Sequence, residues 1–302
     1  MKGSGKRPGK FLDWKAGLGI LLGVGLFIYA LRDVSIAEVL EQIRAADPLL
    51  FSLSLVAATA TILVRAWRWR VLLEPIRPGT SFRSRFQSSM IGFMANNILP
   101  ARVGEVARAY TLSRMEPVPA VASVGSLVVE RLLDGATVIS FFFISMALPS
   151  FPGVGEGSHF GKAAIGALAL LGGVAIVALA LVLRPAEVVA LADWLAAYLL
   201  PERMRRPVVE GLRSFVAGLG ALRQPRLLVR AAFWSLGVWL VNTLAFWLGF
   251  RAFGIDVPFE AAMFLQSLIA IAVALPSAPG FFGLWEAAAK IGLAQIWGVE
   301  VG

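Results

Sequence analysis

Apolar residues dominate this chain in long runs, and the polar residues either separate the runs or interrupt them at two places. Runs close to the length that crosses a hydrocarbon core occupy residues 16–31, 49–64, 135–148, 163–183, 231–250 and 261–275. No ten-residue alternation of the kind a membrane barrel needs is present. A lipid-facing backbone must satisfy its own hydrogen bonds, so the pattern predicts an all-α polytopic membrane protein with about six transmembrane helices. Residues 1–302 read as one integral membrane domain. Residues 185–226 mix Asp193, Trp194, Tyr198 and several Arg with aliphatics, and are expected to lie as an amphipathic stretch on the cytoplasmic surface.

The two interruptions carry more information than the runs. Residues 87–110 read QSSMIGFMANNILPARVGEVARAY, apolar enough to enter a bilayer, yet broken by Asn96, Asn97 and Pro100 and followed at once by Arg102 and Glu105. Ionisable groups at membrane depth are costly and usually functional. The second break, LPSAPGFFGLWEAA at 275–288, contains Pro276, Pro279, Gly280, Gly283 and Glu286. Two Pro-interrupted segments in the two halves of a hydrophobic chain point to a transporter-type site near mid-membrane.

Charge changes the picture by fixing topology. Only 16 % of residues are charged, against about 25 % in soluble domains, and mean hydropathy is +0.76. The net charge of +9 invites a nucleic-acid reading, but its distribution excludes one. Lys2, Lys6, Arg7, Lys10 and Lys15 face only Asp13, six Arg lie between 65 and 85 against Glu74, and eight Arg lie between 184 and 230 against four acids. The stretches 32–47 and 251–260 are acidic on balance. Lys and Arg stay on the cytoplasmic side, so the N-terminus is expected inside, at the cell inner membrane. The run from residue 16 is long for a signal-peptide core and lacks a small-x-small site, which predicts an uncleaved first helix. Both flanks of residues 87–100 then read as cytoplasmic, so that segment should enter and return as a re-entrant hairpin. Residues 275–288 should form a second hairpin from the opposite side, giving two opposed re-entrant helical hairpins in an inverted-repeat-like arrangement.

Pro100 suits the first turn of a helix, where its missing N–H costs nothing. A helix from residue 101 to about 112 would present free N–H groups and its positive dipole end to a cavity. Arg102 adds a bidentate fork for phosphate, and Asn96 and Asn97 both donate and accept there. Together they describe a phosphate-sized anion site, with kinked helices and a snorkelling Arg102 as the bland alternative. Glu105 and Glu286 lie in first turns, where a carboxylate is favourable, or act as a counter-charge or proton carrier. In VVERLLDG, Glu130 and Asp134 share one helix face, and Arg131 can pair with Asp134 at i,i+3. A helix starting near Ala120 would bury these three inside the bundle; a salt bridge at the cytoplasmic end is the alternative. RAWRWRVLL, residues 65–73, reads as an aromatic-basic anchor at the membrane interface. Gly19 and Gly23 are spaced for close helix packing.

Enzymatic chemistry has little to work with. There is no Cys and one His, His159, so neither the usual triads nor a zinc site can be assembled. No metal and no cofactor are expected, and the protein is not expected to be an enzyme.

ANNILPARVGEVARAYTL, VVERLLDG and LPSAPGFFGLWEAA, preceded by RAWRWRVLL, resemble in type and order the flippase-like transmembrane domain family, also called the lysylphosphatidylglycerol synthase transmembrane region. The resemblance covers about residues 60 to 290 and places Asn96, Asn97, Pro100, Arg102, Gly104, Glu105, Glu130, Arg131, Asp134, Pro276, Pro279, Gly280, Gly283 and Glu286 on family motif positions. It implies a multispanning inner-membrane protein that moves lipid between leaflets. It does not extend to the aminoacyl-transferase domain fused to some members, and relatives usually run past the position of Gly302 through another membrane segment. The expected function is translocation of an anionic phospholipid or related lipid through a polar site between the hairpins. The lipid headgroup would be held by Asn96, Asn97, Arg102, Glu105, Glu130, Arg131, Asp134 and Glu286, while Pro100, Gly104, Pro276, Pro279, Gly280 and Gly283 shape the hairpins. The alternative is a non-transporting scaffold that presents lipid to a lipid-modifying enzyme.

Overall fold

The computed structural model describes residues 36–98, 103–152, 184–199, 201–274 and 284–299, with isolated positions between 166 and 183. The described residues are helical, without strands. In chain order they are α1 (Ile36–Ala45), α2 (Pro48–Leu73), α3 (Phe82–Ile98), α4 (Gly104–Met115), α5 (Ala120–Ala147), α6 (Pro185–Leu199), α7 (Glu202–Gly218), a 3-10 turn (Leu219–Arg223), α8 (Pro225–Ala252), α9 (Phe259–Ala274) and α10 (Leu284–Ala289). A π-helical segment, Lys290–Ile296, follows α10. The apolar runs at 49–64, 135–148, 231–250 and 261–275 fall within α2, α5, α8 and α9. The run at 16–31, the glycine pair Gly19 and Gly23, His159 and most of 163–183 lie outside the described residues. So do Pro100, Arg102, Pro276, Pro279, Gly280 and Gly283, and with them the turn of the second expected hairpin.

Two helices, α2 and α8, are long and apolar enough to cross a membrane. α2 starts at an Asp47 N-cap whose Oδ1 accepts from the N–H groups of Leu49 and Leu50, with Pro48 in the first turn. These caps supply partners for N–H groups that a helix end leaves open. α2 and α8 run antiparallel in close contact. Asp47 N–H donates to the Ala252 carbonyl at 2.8 Å at one end, Ser54 Oγ donates to the Ala245 carbonyl at 2.8 Å, and Arg68 reaches Ser235 near the other end. Apolar side chains gain little from leaving lipid for a neighbouring helix, so close backbone approach and interhelical hydrogen bonds carry such contacts. Gly249, 3.4 Å from Ser54 Oγ for an added Cβ, permits that approach.

α5 has 28 residues, enough to span, but carries Glu130, Arg131 and Asp134 in its first half. It packs against α7, where Gly125 and Gly218 bring the backbones together: a Cβ on Gly125 would sit 2.9 Å from Gly218 Cα. On another side α5 meets α9 through Phe142 stacked on Phe264, with centroids 5.2 Å apart, and through Val138, Phe141 and Met263.

α3 and α4 form an antiparallel helical hairpin. Ser81 N–H donates to Glu116 Oε1 at 3.0 Å at the open end. At the tip, Gly104 N–H donates to Asn96 Oδ1 at 2.8 Å. Midway, a Cβ on Gly92 would come within 2.9 Å of both the Arg108 Cβ and the Gly104 carbonyl, so glycine is what lets the two arms touch. The end of α2 is tied to α8 and to the 3-10 turn, since Glu74 pairs with Arg230 at 3.2 Å and Gly220 packs on Pro75. Arg85 fastens the hairpin to α2: it is buried, its Nε donates to the Ala66 carbonyl at 2.9 Å, and its Nη1 donates to Thr80.

Candidate functional site

Seven charged side chains from three helices meet in one cluster. α2 supplies Arg65 and Arg68, α4 supplies Glu105 and Arg108, and α5 supplies Glu130, Arg131 and Asp134. Helical periodicity explains each pair: Arg65 and Arg68 are i,i+3, Glu105 and Arg108 are i,i+3, and Glu130 and Asp134 are i,i+4, so each pair shares a face. Glu130 lies ten residues into α5, about 15 Å along the axis at 1.5 Å per residue, and is 0 % exposed. This places the motif inside the bundle rather than at a helix end.

Arg68 is the centre. Its side chain is fully buried, its Nη1 donates to Asp134 Oδ1, and its Nη2 lies 3.3 Å from Asp134 Oδ2, a bidentate pairing. The same guanidinium reaches Glu130 Oε1 at 3.1 Å and Ser235 Oγ on α8 at 2.9 Å. Asp134 additionally accepts from Trp239 Nε1 at 2.9 Å and lies 3.6 Å from Arg65 Nη1 and 3.3 Å from Arg131 Nη2. Glu130 Oε1 accepts from Arg108 Nη1 at 2.8 Å and Arg131 Nη2 at 2.6 Å. Arg131, whose side chain is 46 % exposed, also lies 3.8 Å from Glu105 and forms the open rim of the cluster.

Aromatic rings wall the charges. Arg108 stacks on Trp69, with Cζ 3.9 Å from the ring centroid, and Trp69 Nε1 donates to Ser126 Oγ at 3.0 Å. Arg65 lies between Phe93 and Trp239, at 5.8 and 5.9 Å. A desolvated cation gains from such faces. Among the described residues the four arginines outnumber the three carboxylates, leaving a surplus of one positive charge in a pocket mostly withdrawn from solvent. Such a charge is expensive unless paired. Donors also remain open, since Arg108 Nε and Nη2 and Arg68 Nε have no hydrogen-bond partner.

The expected site is partly redrawn. Glu130, Arg131, Asp134 and Glu105 are brought together, and Arg131 pairs with Asp134 as its spacing suggests. Asn96 turns to the hairpin tip, where its Oδ1 is committed to the Gly104 N–H. Asn97 is exposed and donates back to the Phe93 carbonyl of its own helix at 2.9 Å. Glu286 is exposed in the first turn of α10. The reading of RAWRWRVLL as an interfacial anchor fails for three of its residues. Arg65, Arg68 and Trp69 are buried and bonded in the core, and only Trp67 and Arg70 are exposed. A rule for surface arginines was applied to a helix face. Glu130 and Asp134 carried the missing signal, because two buried carboxylates need more cation than Arg131 supplies.

Comparison with known proteins agrees with this architecture. The chain is 27 % identical over 129 residues to a UPF0104 membrane protein of Methanocaldococcus jannaschii, covering 42 % of this chain and 38 % of that one. It is 25 % identical to the protein named glycosyltransferase AglD of Haloferax volcanii, over 92 % of this chain and 48 % of that one. It is 22 % identical to a UPF0104 membrane protein of Methanothermobacter thermautotrophicus, over 89 % of this chain and 82 % of that one. The chain thus spans less than half the length of the first two relatives. No solved structure matches. The family model for the lysylphosphatidylglycerol synthase TM region matches residues 17–300, an interval that contains the whole charge cluster, the hairpin and both long apolar helices, and the chain is therefore a membrane protein of that family.

Proposed function

We propose that the protein translocates an anionic lipid between the leaflets of the bacterial or archaeal inner membrane, without catalysing a covalent reaction, and that the arginine–carboxylate cluster receives the headgroup. The observation that supports this is the surplus positive charge with unpartnered guanidinium donors, next to a half-exposed Arg131 at its rim. A phosphate leaving water needs donors that replace its hydration, and planar guanidinium forks supply them in pairs. The hairpin α3–α4 forms one wall, and the acyl chains stay in the bilayer. Arg102 and the 275–283 segment, outside the described residues, belong to the same expected cavity. In this reading the N-terminus is cytoplasmic, and so is the open end of the hairpin, where Arg77, Arg83 and Arg114 collect.

Reconstitution tests this. Proteoliposomes carrying wild-type protein should move fluorescent phosphatidylglycerol across the bilayer faster than empty liposomes and faster than Arg108→Ala proteoliposomes. Flux equal in all three removes the reading. Because the chain has no Cys, Arg83→Cys and Arg114→Cys test the topology: both should react with an impermeant thiol reagent from the same side, and opposite sides would make the hairpin an ordinary crossing.

A second reading, an accessory subunit presenting lipid to an enzyme, draws on α6 and α7. Trp194 and Tyr198 on α6 are 65 % and 85 % exposed, and α7, tied to α6 by Arg205 with Asp193 at 2.7 Å, carries the exposed Arg203 and Arg206. Lipid movement by the purified protein alone excludes a role limited to scaffolding.

A further inference from the structure

Glu130 is where guanidinium groups from three different helices converge. Its Oε1 lies 3.1 Å from Arg68 Nη2 of α2, 2.8 Å from Arg108 Nη1 of α4 and 2.6 Å from Arg131 Nη2 of α5. The arrangement is lopsided, because Glu130 Oε2 has no hydrogen-bond partner. Arg108 is lopsided too. It is 4 % exposed, its Nη1 is paired with Glu130, and its Nε and Nη2 are unpartnered. Buried donors left open cost free energy, and one carboxylate oxygen cannot fill a guanidinium fork. A phosphodiester offers two charged oxygens in the spacing that such a fork accepts.

We propose that Glu130 is a resident counter-anion that an incoming phosphodiester displaces from Arg108, and that this exchange undocks the α3–α4 hairpin from α5. The proposal rests on the reading of the cluster as a headgroup site. The exchange does not strand Glu130, because Arg68 and Arg131 remain within reach of it. It does remove the shorter of the two ionic ties between α4 and α5 found among the described residues. The other is Glu105 with Arg131 at the rim, at 3.8 Å, partly solvated and weak. Charge also selects the ligand. Among the described residues, Arg65, Arg68, Arg108 and Arg131 against Glu105, Glu130 and Asp134 leave a positive surplus, which an anionic phosphodiester relieves and a zwitterionic headgroup does not. Glu130 is thus a positioning residue that competes with the ligand, holding the hairpin closed when the site is empty.

The experiment titrates purified protein in detergent with dihexanoyl phosphatidylglycerol, dihexanoyl phosphatidylcholine and, separately, sodium phosphate. If Glu130 competes, Glu130→Gln binds the phosphatidylglycerol more tightly than wild type, by about tenfold, the low end for close charge pairs in interfaces. A purely structural role predicts the opposite sign. Phosphatidylcholine, whose choline cation opposes the surplus positive charge, should bind both proteins more weakly than phosphatidylglycerol does. Tightening shared by sodium phosphate assigns the exchange to the phosphoryl group alone, and tightening confined to the lipid assigns it to a membrane headgroup. Adding phosphatidylglycerol to wild type should also speed amide hydrogen exchange in residues 104–115. Equal or weaker binding by folded Glu130→Gln overturns the proposal. Should that variant not fold, Glu130→Asp keeps the charge, withdraws it from Arg108, and is held to the same criterion. The two readings separate cleanly. Tightening without any lipid flux in proteoliposomes sinks the translocase and leaves the exchange, whereas flux without tightening sinks the exchange alone.

Discussion

Replacing Asp134 by Asn keeps the side chain's shape and removes its charge, which isolates the electrostatic part of the cluster. In the wild type Asp134 is the bidentate partner of Arg68 and the carboxylate nearest Arg65. Neutralising it leaves two positive charges in excess instead of one, around a guanidinium with no solvent contact. Removing one partner of a buried pair costs about 3–5 kcal/mol. The low end applies here, because Arg68 keeps Glu130 at 3.1 Å and Ser235 at 2.9 Å. For a chain of this size about 3 kcal/mol corresponds to a fall in melting temperature of roughly 6 °C, readable by intrinsic fluorescence in detergent. The informative comparison is the double variant. Arg68→Met with Asp134→Asn removes both charges, leaves Glu130 paired with Arg108 and Arg131, and is expected to recover to within about 1–2 kcal/mol of wild type, as buried pairs replaced together generally do. A thermodynamic cycle extracts the coupling. A double variant whose loss equals the sum of the two single losses would refute the claim that Arg68 and Asp134 depend on one another.

Other expectations concern the frame around the cluster. Gly104→Ala would drive a Cβ into the Gly92 carbonyl and Asn96 Oδ1, forcing the hairpin arms apart at a cost of about 1–3 kcal/mol and slowing lipid flux. Gly218→Ala should destabilise comparably, because its Cβ would overlap the Ala122 carbonyl and sit 2.8 Å from Gly125 Cα. Gly211→Ala on the same helix meets nothing within 4 Å and should stabilise by up to about 1 kcal/mol, so equal melting temperatures for the two variants would contradict the α5–α7 packing. At the hairpin's open end, partial burial opposes ionisation of Glu116. The Ser81 N–H and the Ser84 and Ser81 hydroxyls outweigh it and hold the carboxyl below its ordinary value. A lowered folded-state pKa stabilises fully above the ordinary carboxylate range and is lost as pH falls through the lowered value. The melting-temperature gap between wild type and Glu116→Gln should therefore be widest near neutral pH and close in acid.

The features legible in the sequence were those that local pattern determines. α5 begins at Ala120, where the sequence suggested a start for the helix that carries VVERLLDG, and α3 ends at Ile98, next to the expected break at Asn96, Asn97 and Pro100. The arginines were harder. Three of the six Arg between 65 and 85 counted as loop charges are buried: Arg65, Arg68 and Arg85. Arg70, Arg77 and Arg83 still outnumber Glu74 there, so the stretch stays basic at its surface. Arg68 pairs with a carboxylate 66 residues away, and no local rule identifies which face of an apolar helix will meet another charged helix. Arg108, outside the expected site, enters the cluster through Glu130 on another helix, 22 residues away. Gly254, at φ +71°, stands in the six-residue connection, 253–258, between α8 and α9. Its glycine needs no such long-range partner to be recognised as a turn former.

The indole of Trp69 lies directly beneath the Arg108 guanidinium, 3.9 Å away, with its own N–H anchored to Ser126. An emitting ring is thereby fixed against the hairpin's own cation in its ionic contact with the acidic helix. Its excited state senses that positive charge. Any event that lifts Arg108 away alters the local field on the chromophore before anything else in the bundle has to move. The molecule carries its own optical probe of hairpin position, needing no attached dye. A version retaining Trp69, with the other eight tryptophans conservatively replaced, would report docking and undocking in real time, during turnover in a sealed vesicle.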